Sequence, residues 1–245
     1  MEAQKYSLHY KFRPGVVSSY RAEGKTTQTF YGAEQIDSPE QAMDLTITFK
    51  SLFEDQGGRI HLLLSSMPVR MMVGEREMEL PDMKRVYAMV DRQGRILEST
   101  DAVNIFIHPF PAEPIPVGHK WEYEESIRPV ETMEPLPLNT VYVLEKACDY
   151  EGAAQLVISF HSPKIWYKSQ VEAMKGSTLT FMRDGIIIFD PELGQITKID
   201  QTSSFTSEND VGRMDMSFQS VMTLGEILED PTMLPKTDKL QEGQP

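Results

Sequence analysis

The sequence predicts an all-β protein: two homologous halves of curved antiparallel sheet, a half-barrel or barrel-like arrangement with one or two short helices. Three observations predict it. Apolar and polar residues alternate with period two along most of the chain, the pattern of half-buried strands. Glycines and prolines punctuate these runs at turn positions. The second half also repeats the first. Asp55-Gln56-Gly57-Gly58, followed by an apolar run to Leu64 and Pro68, is answered by Tyr150-Glu151-Gly152-Ala153 and a run to Ile158 and Pro163. Gly57 and Pro68 map onto Gly152 and Pro163 with one constant offset and no gap, as a duplicated supersecondary unit requires.

In chain order, Arg13-Pro14-Gly15 with Tyr20 opens the first copy, and Thr26 to Tyr31 reads as strand. Ser38-Pro39-Glu40-Gln41 has a cap, a first-turn proline and a reciprocal capping glutamine, and predicts a short helix. Leu45 to Phe53 alternates as a half-buried strand, and Tyr87 to Asp91 leads into the turn ending at Gly94. From His108 to Pro116 the chain carries four prolines, which exclude regular ladder pairing and favour an extended connector. Pro116-Val117-Gly118 with Tyr123 echoes the start of the first copy, and Trp121 to Glu124 alternates. Val141 to Leu144 and Leu156 to Phe160 flank a hairpin loop at Asp149 to Gly152. Ile186 to Asp190 runs into a turn at Pro191 to Gly194. The segments 165–175 and 214–228 do not decide between states by pattern, the second reading as strand with a short amphipathic end. The chain divides into a first β repeat (1–107), a Pro-rich connector (108–118), a second repeat (119–228) and a polar, proline-punctuated mobile tail (229–245). Two curved sheets, each with one apolar face, are expected to bury those faces together as one domain; tandem domains are the alternative. The expected core comprises Tyr20, Ile47, Phe49, Leu62, Leu64, Val86, Ile96, Trp121, Tyr123, Val143, Val157, Ile158, Ile187 and Phe189.

Composition narrows the function. With 40% hydrophobic and 25% charged residues over 245 positions, the chain has material for a sizeable core. A formal net charge of −13 opposes binding to nucleic acid or an anionic membrane surface, which need a cationic footprint. The single cysteine, Cys148, excludes an internal disulfide framework and is expected as a buried small apolar residue. No apolar run is long enough to cross a bilayer as a helix. The expected compartment is the cytoplasm if Met1 is the native start, and the cell envelope if a signal peptide was removed.

The search for chemistry returns little. Glu23-Gly24-Lys25-Thr26 resembles the end of a phosphate loop, but Ser19 stands where that motif needs glycine and strand follows where it needs helix. The five histidines lack His or Cys partners at ligand spacing, so no metal and no cofactor is expected. His61 and His161 fall near equivalent positions of the two copies, in or next to the apolar strand after the hairpin, and read as polar edges of those strands. Glu75, Glu77 and Glu79, like Glu122 and Glu124, read as solvated outer faces rather than acid–base pairs. Fifteen methionines are the one unusual abundance. Met67, Met71, Met72, Met78, Met83 and Met89 crowd one region, and Trp166 and Tyr167 fall where Met71 and Met72 stand in the first copy. Deformable side chains of this kind suit either an adaptable apolar groove or core filling between curved sheets. Met67, Met71, Met72, Trp166 and Tyr167 are the candidate ligand-binding residues.

The run Tyr10 to Gly15, Val90-Asp91-Arg92-Gln93-Gly94-Arg95-Ile96, Phe110 to Trp121 and Phe189 to Ile196 resembles a group of bacterial β-rich proteins of unknown function. That group shares a central F-P-x-x-P-V-x-V-G-D-x-W motif and D-x-x-G-x-I hairpins. His119 stands where the pattern carries Asp, a change expected to alter a turn contact. At fold level the group resembles the open barrels of the periplasmic lipoprotein carriers (LolA/LolB type), which implies curved sheets and suggests apolar-ligand binding. The leading expectation is a non-catalytic binding protein whose concave apolar face takes a lipid-like ligand or an apolar protein segment. The alternative is a structural accessory subunit that docks onto a larger assembly and holds no small molecule.

Overall fold

A computed structural model describes residues 4–100, 106–127, 136–150, 152–168 and 176–229. Its strands are β1 (Lys5–Tyr6), β2 (Val16–Tyr31), β3 (Gln35–Asp37), β4 (Gln41–Glu54), β5 (Ile60–Val73), β6 (Arg76–Glu77), β7 (Lys84–Val90), β8 (Ile96–Ser99), β9 (Ile115–Pro116), β10 (Lys120–Ile127), β11 (Leu136–Tyr150), β12 (Ala153–Lys168), β13 (Thr178–Asp190), β14 (Gln195–Asn209) and β15 (Gly212–Glu229). The architecture is all-β and antiparallel, as the alternation predicts. Residues 230–245, most of the expected tail, and 169–175 lie outside the described residues.

One sheet carries both halves, in the order β10-β11-β12-β13-β14-β15-β2-β4-β5-β7-β8. Each half is a meander of successive strands, and β15 joins them by pairing with β2 from Arg213 opposite Tyr31 to Glu229 opposite Val16. Among the described residues the edges β8 and β10 do not pair with each other, so the sheet they form is open rather than a closed barrel. β1 and β9 form a separate two-stranded ladder.

The sheet curves around its own chain. Residues 8–12 and the connector lie on the inner face, where Leu8, Tyr10, Ile107, Phe110 and Ile115 join one buried cluster with Ile47, Phe49 and Leu62 of one half and Tyr142, Ile158 and Phe189 of the other. Backbone bonds hold this filling in place. The Tyr10 N–H donates to the Arg92 carbonyl in the β7–β8 turn (2.8 Å), and the Lys11 N–H donates to the Gly194 carbonyl in the β13–β14 turn (2.9 Å). Adjacent residues thus bridge equivalent turns of opposite halves, which a flat sheet could not allow. The Phe110 N–H donates to the Gln93 carbonyl (2.7 Å), and the Trp121 indole N–H donates to the Pro109 carbonyl (3.1 Å), so the connector is pinned at both sides. His119 sits in a turn, where its N–H donates to the Pro116 carbonyl at 3.1 Å.

Three expectations need correction. The helix at Ser38 does not form, and no described residue is helical. Gln41 is instead the first residue of β4, paired with Thr26 on one side and Val73 on the other. A strand bonded along both sides outweighs a capping signal worth about 1 kcal/mol. Val143 and Val157 are not core: Tyr142, Leu144, Leu156 and Ile158 take the inner positions, and adjacent strand residues point to opposite faces. Cys148 is exposed rather than buried, in the outer part of the β11–β12 hairpin. Of the remaining expected core, Val86, Ile96, Trp121 and Tyr123 pack half-buried against the central cluster, and the others are buried in it.

Gly94 and Gly194 take positive φ (79° and 65°) in the two clasping turns. A Cβ on Gly94 would lie 2.6 Å from the His108 carbonyl oxygen, and one on Gly194 would lie 2.7 Å from the Lys11 nitrogen. Gly94→Ala and Gly194→Ala are each expected to lower stability by at least about 1–3 kcal/mol in urea unfolding. Gly152→Ala, with φ 84° but open space around it, supplies the strain without the clash and should cost less.

Candidate functional site

The filled part of the inner face is only half of it. Register extends the inner positions of β13 outward from Ile187 through Gly185, Arg183 and Phe181 to Leu179. Across the sheet, Ile165, Phe181, Phe205, Met216 and Gln28 lie side by side on β12, β13, β14, β15 and β2. The next row holds Tyr167, Leu179, Ser207, Met214 and Phe30. Leu138, Leu179, Phe181 and Phe205 form a second apolar cluster, with Ile165, Tyr167, Met214 and Met216 packed half-buried around it. Beyond it the strand ends frame an open cleft of about 670 Å³, lined by Phe30, Tyr31, Ile36, Val211 and Met214 among others. Phe30, Tyr31, Ile36 and Val211 are all exposed, Val211 at 88%. Apolar surface therefore continues from buried cluster to open cleft along one face.

A polar belt separates the two apolar clusters. Arg183 (1% exposed) forms an ion pair with Glu125 (7% exposed), which also accepts a 2.6 Å bond from the Thr140 hydroxyl. The Thr140 and Ser162 hydroxyls bond at 2.8 Å. The Arg183 guanidinium lies 5.2 Å from the Phe160 ring centroid, and the His108 ring lies 5.0 Å from the same ring. The Phe160 ring occupies the space over Gly185, the residue paired opposite it. His108 Nδ1 bonds to the Tyr142 hydroxyl at 3.2 Å. Burial pushes Glu125 up from the ordinary carboxylate range, against the attraction of Arg183 and the bond from Thr140. Burial, helped by the Arg183 charge, pushes His108 well below the usual imidazole range, so it is held neutral. Arg183 Nε and Nη1, His108 Nε2 and Gln201 Oε1 are buried without a hydrogen-bond partner. Gln201 stands opposite Gly185 on β14, two positions along the face from the residue paired with Arg183.

The candidate residues from the sequence divide between the two faces. Tyr167 belongs to the second apolar cluster. Met71 pairs with Met43, which pairs with Gly24, and this places it on the inner side in the row of Gly185. Met67, opposite Thr46, and Met72, opposite Ala42, take outer positions. Trp166 is 68% exposed on the outer face, with the Lys164 ammonium 5.5 Å from its ring. In the sheet order, five strands separate β5 from β12, so these residues share no cross-strand neighbour. Residues the pattern reading passed over, Glu125 and Arg183, carried a signal: Glu125 is in phase with Trp121 and Tyr123, and Arg183 with Phe181 and Ile187. A charge at an inward position is the departure that marks this belt.

His61 and His161 both lie on the outer face with acidic or phenolic partners but not at equivalent places: His61 follows the β4–β5 turn at the start of β5, and His161 lies midway along β12. His61 Nδ1 bonds the Tyr87 hydroxyl at 2.5 Å, with Asp55 3.5 Å from Nε2. His161 pairs with Asp184 across the β12–β13 ladder. Among the described residues no group of three or more His, Cys, Asp or Glu side chains is placed to hold a metal ion.

No family model matches the chain. No curated protein matches it either. Among solved structures, lipovitellin, in a structure describing its lipid–protein interactions, aligns over 90% of this chain at 12% identity with a TM-score of 0.48. This chain spans only 26% of that lipovitellin chain. Ail, the attachment invasion locus protein of Yersinia pestis, aligns over 87% of this chain and 100% of its own at 11% identity with a TM-score of 0.22. At these identities and TM-scores, neither likeness carries a ligand over to this chain.

The neutral His108 sets a pH dependence. Its pKa is depressed on folding, so the unfolded chain binds the extra proton below about pH 6.5, the imidazole's ordinary value. Its contribution is fully present above that pH and is lost as pH falls through it. Glu125 acts in the opposite sense, since its folded pKa is raised, but it is common to wild type and variant. Urea unfolding is therefore expected to show the stability of wild type relative to His108→Gln falling as pH drops below about 6.5.

Proposed function

We propose that this chain is a non-catalytic binding protein that holds a lipid-like ligand or apolar segment against the outer half of its inner face. The observation that carries this reading is the continuity of the second apolar cluster with the open cleft. Half-buried Tyr167, Met214 and Met216 border the buried Leu179, Phe181 and Phe205, and Met214 also lines the cleft. Ligand pockets are built in this way, with a large apolar lining and few polar groups. The two methionines add side chains that adjust to a ligand's shape. The site departs from the residues singled out by sequence: of those, Tyr167 lies within it.

A second reading has an observation of its own. The other half of the inner face is packed with residues 8–12 and the connector, and exposed Phe30, Tyr31, Ile36 and Val211 project where a partner protein could meet them. An accessory subunit would combine a filled core with such a patch.

Native mass spectrometry of gently purified protein, followed by organic extraction, separates the two. A stoichiometric apolar adduct is expected, and uptake of a fluorescent fatty-chain probe by delipidated protein should be saturable. Tyr167→Ala and Met216→Asp are each expected to weaken probe binding by about fivefold or more, while Trp166→Ala on the outer face leaves it unchanged. A clean protein mass together with no probe uptake overturns the ligand reading in favour of the accessory subunit.

A further inference from the structure

The polar belt asks why a mostly apolar inner face carries a buried arginine at all. Arg183 offers five N–H donors, and Glu125 engages only Nη2. Nε and Nη1 are buried without acceptors, beside neutral His108 with its own unpartnered Nε2 and Gln201 with an unpartnered Oε1. An unmatched buried donor costs the desolvation of that group, and more when it is charged. A further acceptor at this place would relieve that cost. The belt also stands at the inner end of the proposed site: Ser162, Arg183 and Ser203 form the row immediately inside Ile165, Phe181 and Phe205.

From this we infer, resting on the function proposed above, that the belt receives the anionic head of an amphipathic ligand. The head is a carboxylate or phosphate, held by Arg183, and the hydrocarbon chain runs outward over Phe181, Phe205 and Leu179 to the cleft. Strand rise sets the scale. From Arg183 to Ser177 at the cleft is six residues, roughly 20 Å at the strand rise of about 3.3 Å per residue. Ser177 lines the cleft and accepts a 3.4 Å bond from the Asn209 side chain across the face. The distance suits one extended acyl chain, and because Leu179, Phe181 and Phe205 are buried, such a chain enters as half-buried Tyr167, Met214 and Met216 move aside. Charge-assisted bonds from a guanidinium are the strong ones, and a low-dielectric surround strengthens them further. The head group gives orientation, and the two aromatic residues and leucine give affinity.

The test compares dodecanoate, dodecyl phosphate and neutral dodecanol as competitors of a fluorescent fatty-chain probe on delipidated full-length protein. At least one of the two anions is expected to bind about tenfold tighter than dodecanol, and the tighter anion identifies the head group. In the double variant Arg183→Gln/Glu125→Gln, which leaves neither charge buried alone, that preference should fall to about onefold, with dodecanol binding retained. Equal binding of all three by wild type overturns the head-group inference and leaves the apolar site standing; a structural water at Arg183 would give this result. A preference that survives in the double variant overturns the assignment to Arg183. If none of the three competes and the probe itself does not bind, the proposed function fails and the inference fails with it. The wild-type comparison needs no variant, so the inference stays falsifiable if the double variant does not fold.

Discussion

Adjacent backbone N–H groups, those of Tyr10 and Lys11, hold this molecule in its shape by bonding to equivalent turns in opposite halves of the sheet. An eleven-strand path of this kind would otherwise twist open, exposing a broad apolar face. The clasp brings the β7–β8 and β13–β14 turns to one short stretch of chain, and the curve of the sheet follows from that distance. The glycines at the two turns are where the constraint is tightest, because both the positive φ and the approach of the N-terminal segment exclude a side chain. The Tyr10 ring then stacks on Phe12 and Phe110 and meets Phe189 edge-on, so one residue ties backbone, connector and second half together.

What the clasp fills, it also denies to a ligand. Beneath residues 8–12 and the connector the inner face is ordinary protein core, with Leu62, Ala88, Leu144 and Phe189 fully buried. The strands of the second half, with β15 and β2, are longer than that filling and carry the sheet past it. The polar belt lies where the two regions meet. A buried ion pair contributes little net stability against a well-packed apolar alternative, although removing one partner costs about 3–5 kcal/mol. On the function proposed above, its place between two apolar clusters gives it a part in specifying what the outer cluster touches.

The outer face follows a different logic. Its alternating positions carry threonines, charged residues and His61 and His161, each histidine tied to a neighbouring strand by a short polar contact. Pairs such as Arg213 with Asp215 and Arg92 with Glu54 are exposed, and exposed pairs contribute at most about 1 kcal/mol each. They keep a wide open sheet solvated and do little to stabilise it.

Alternation, turn residues and the internal repeat were enough to read the antiparallel class, several strands and hairpins in each half, and a core containing Tyr20, Ile47, Phe49, Leu62, Ile158, Ile187 and Phe189; they left 165–175 and 214–228 undecided. Period alone could not carry the phase through a bulge. β5 bulges at Val69, next to Pro68, and β12 between Ser162 and Ile165, where Pro163 lies. The inner residues Leu62 and Leu64 answer Leu156 and Ile158, one residue out of step with the offset that links the two prolines. Past each bulge the faces exchange, which turns Tyr167 and Met71 inward and Trp166 and Met72 outward, so residues aligned by one constant offset (Met71 with Trp166, Met72 with Tyr167) face opposite sides. Nor could the sequence place residues 8–12 inside the curve, insert β15 between the halves, or pair Glu125 with Arg183, 58 positions apart. Local pattern determines which residues share a face; which faces and segments meet is decided by long-range packing, and the site is made of those meetings.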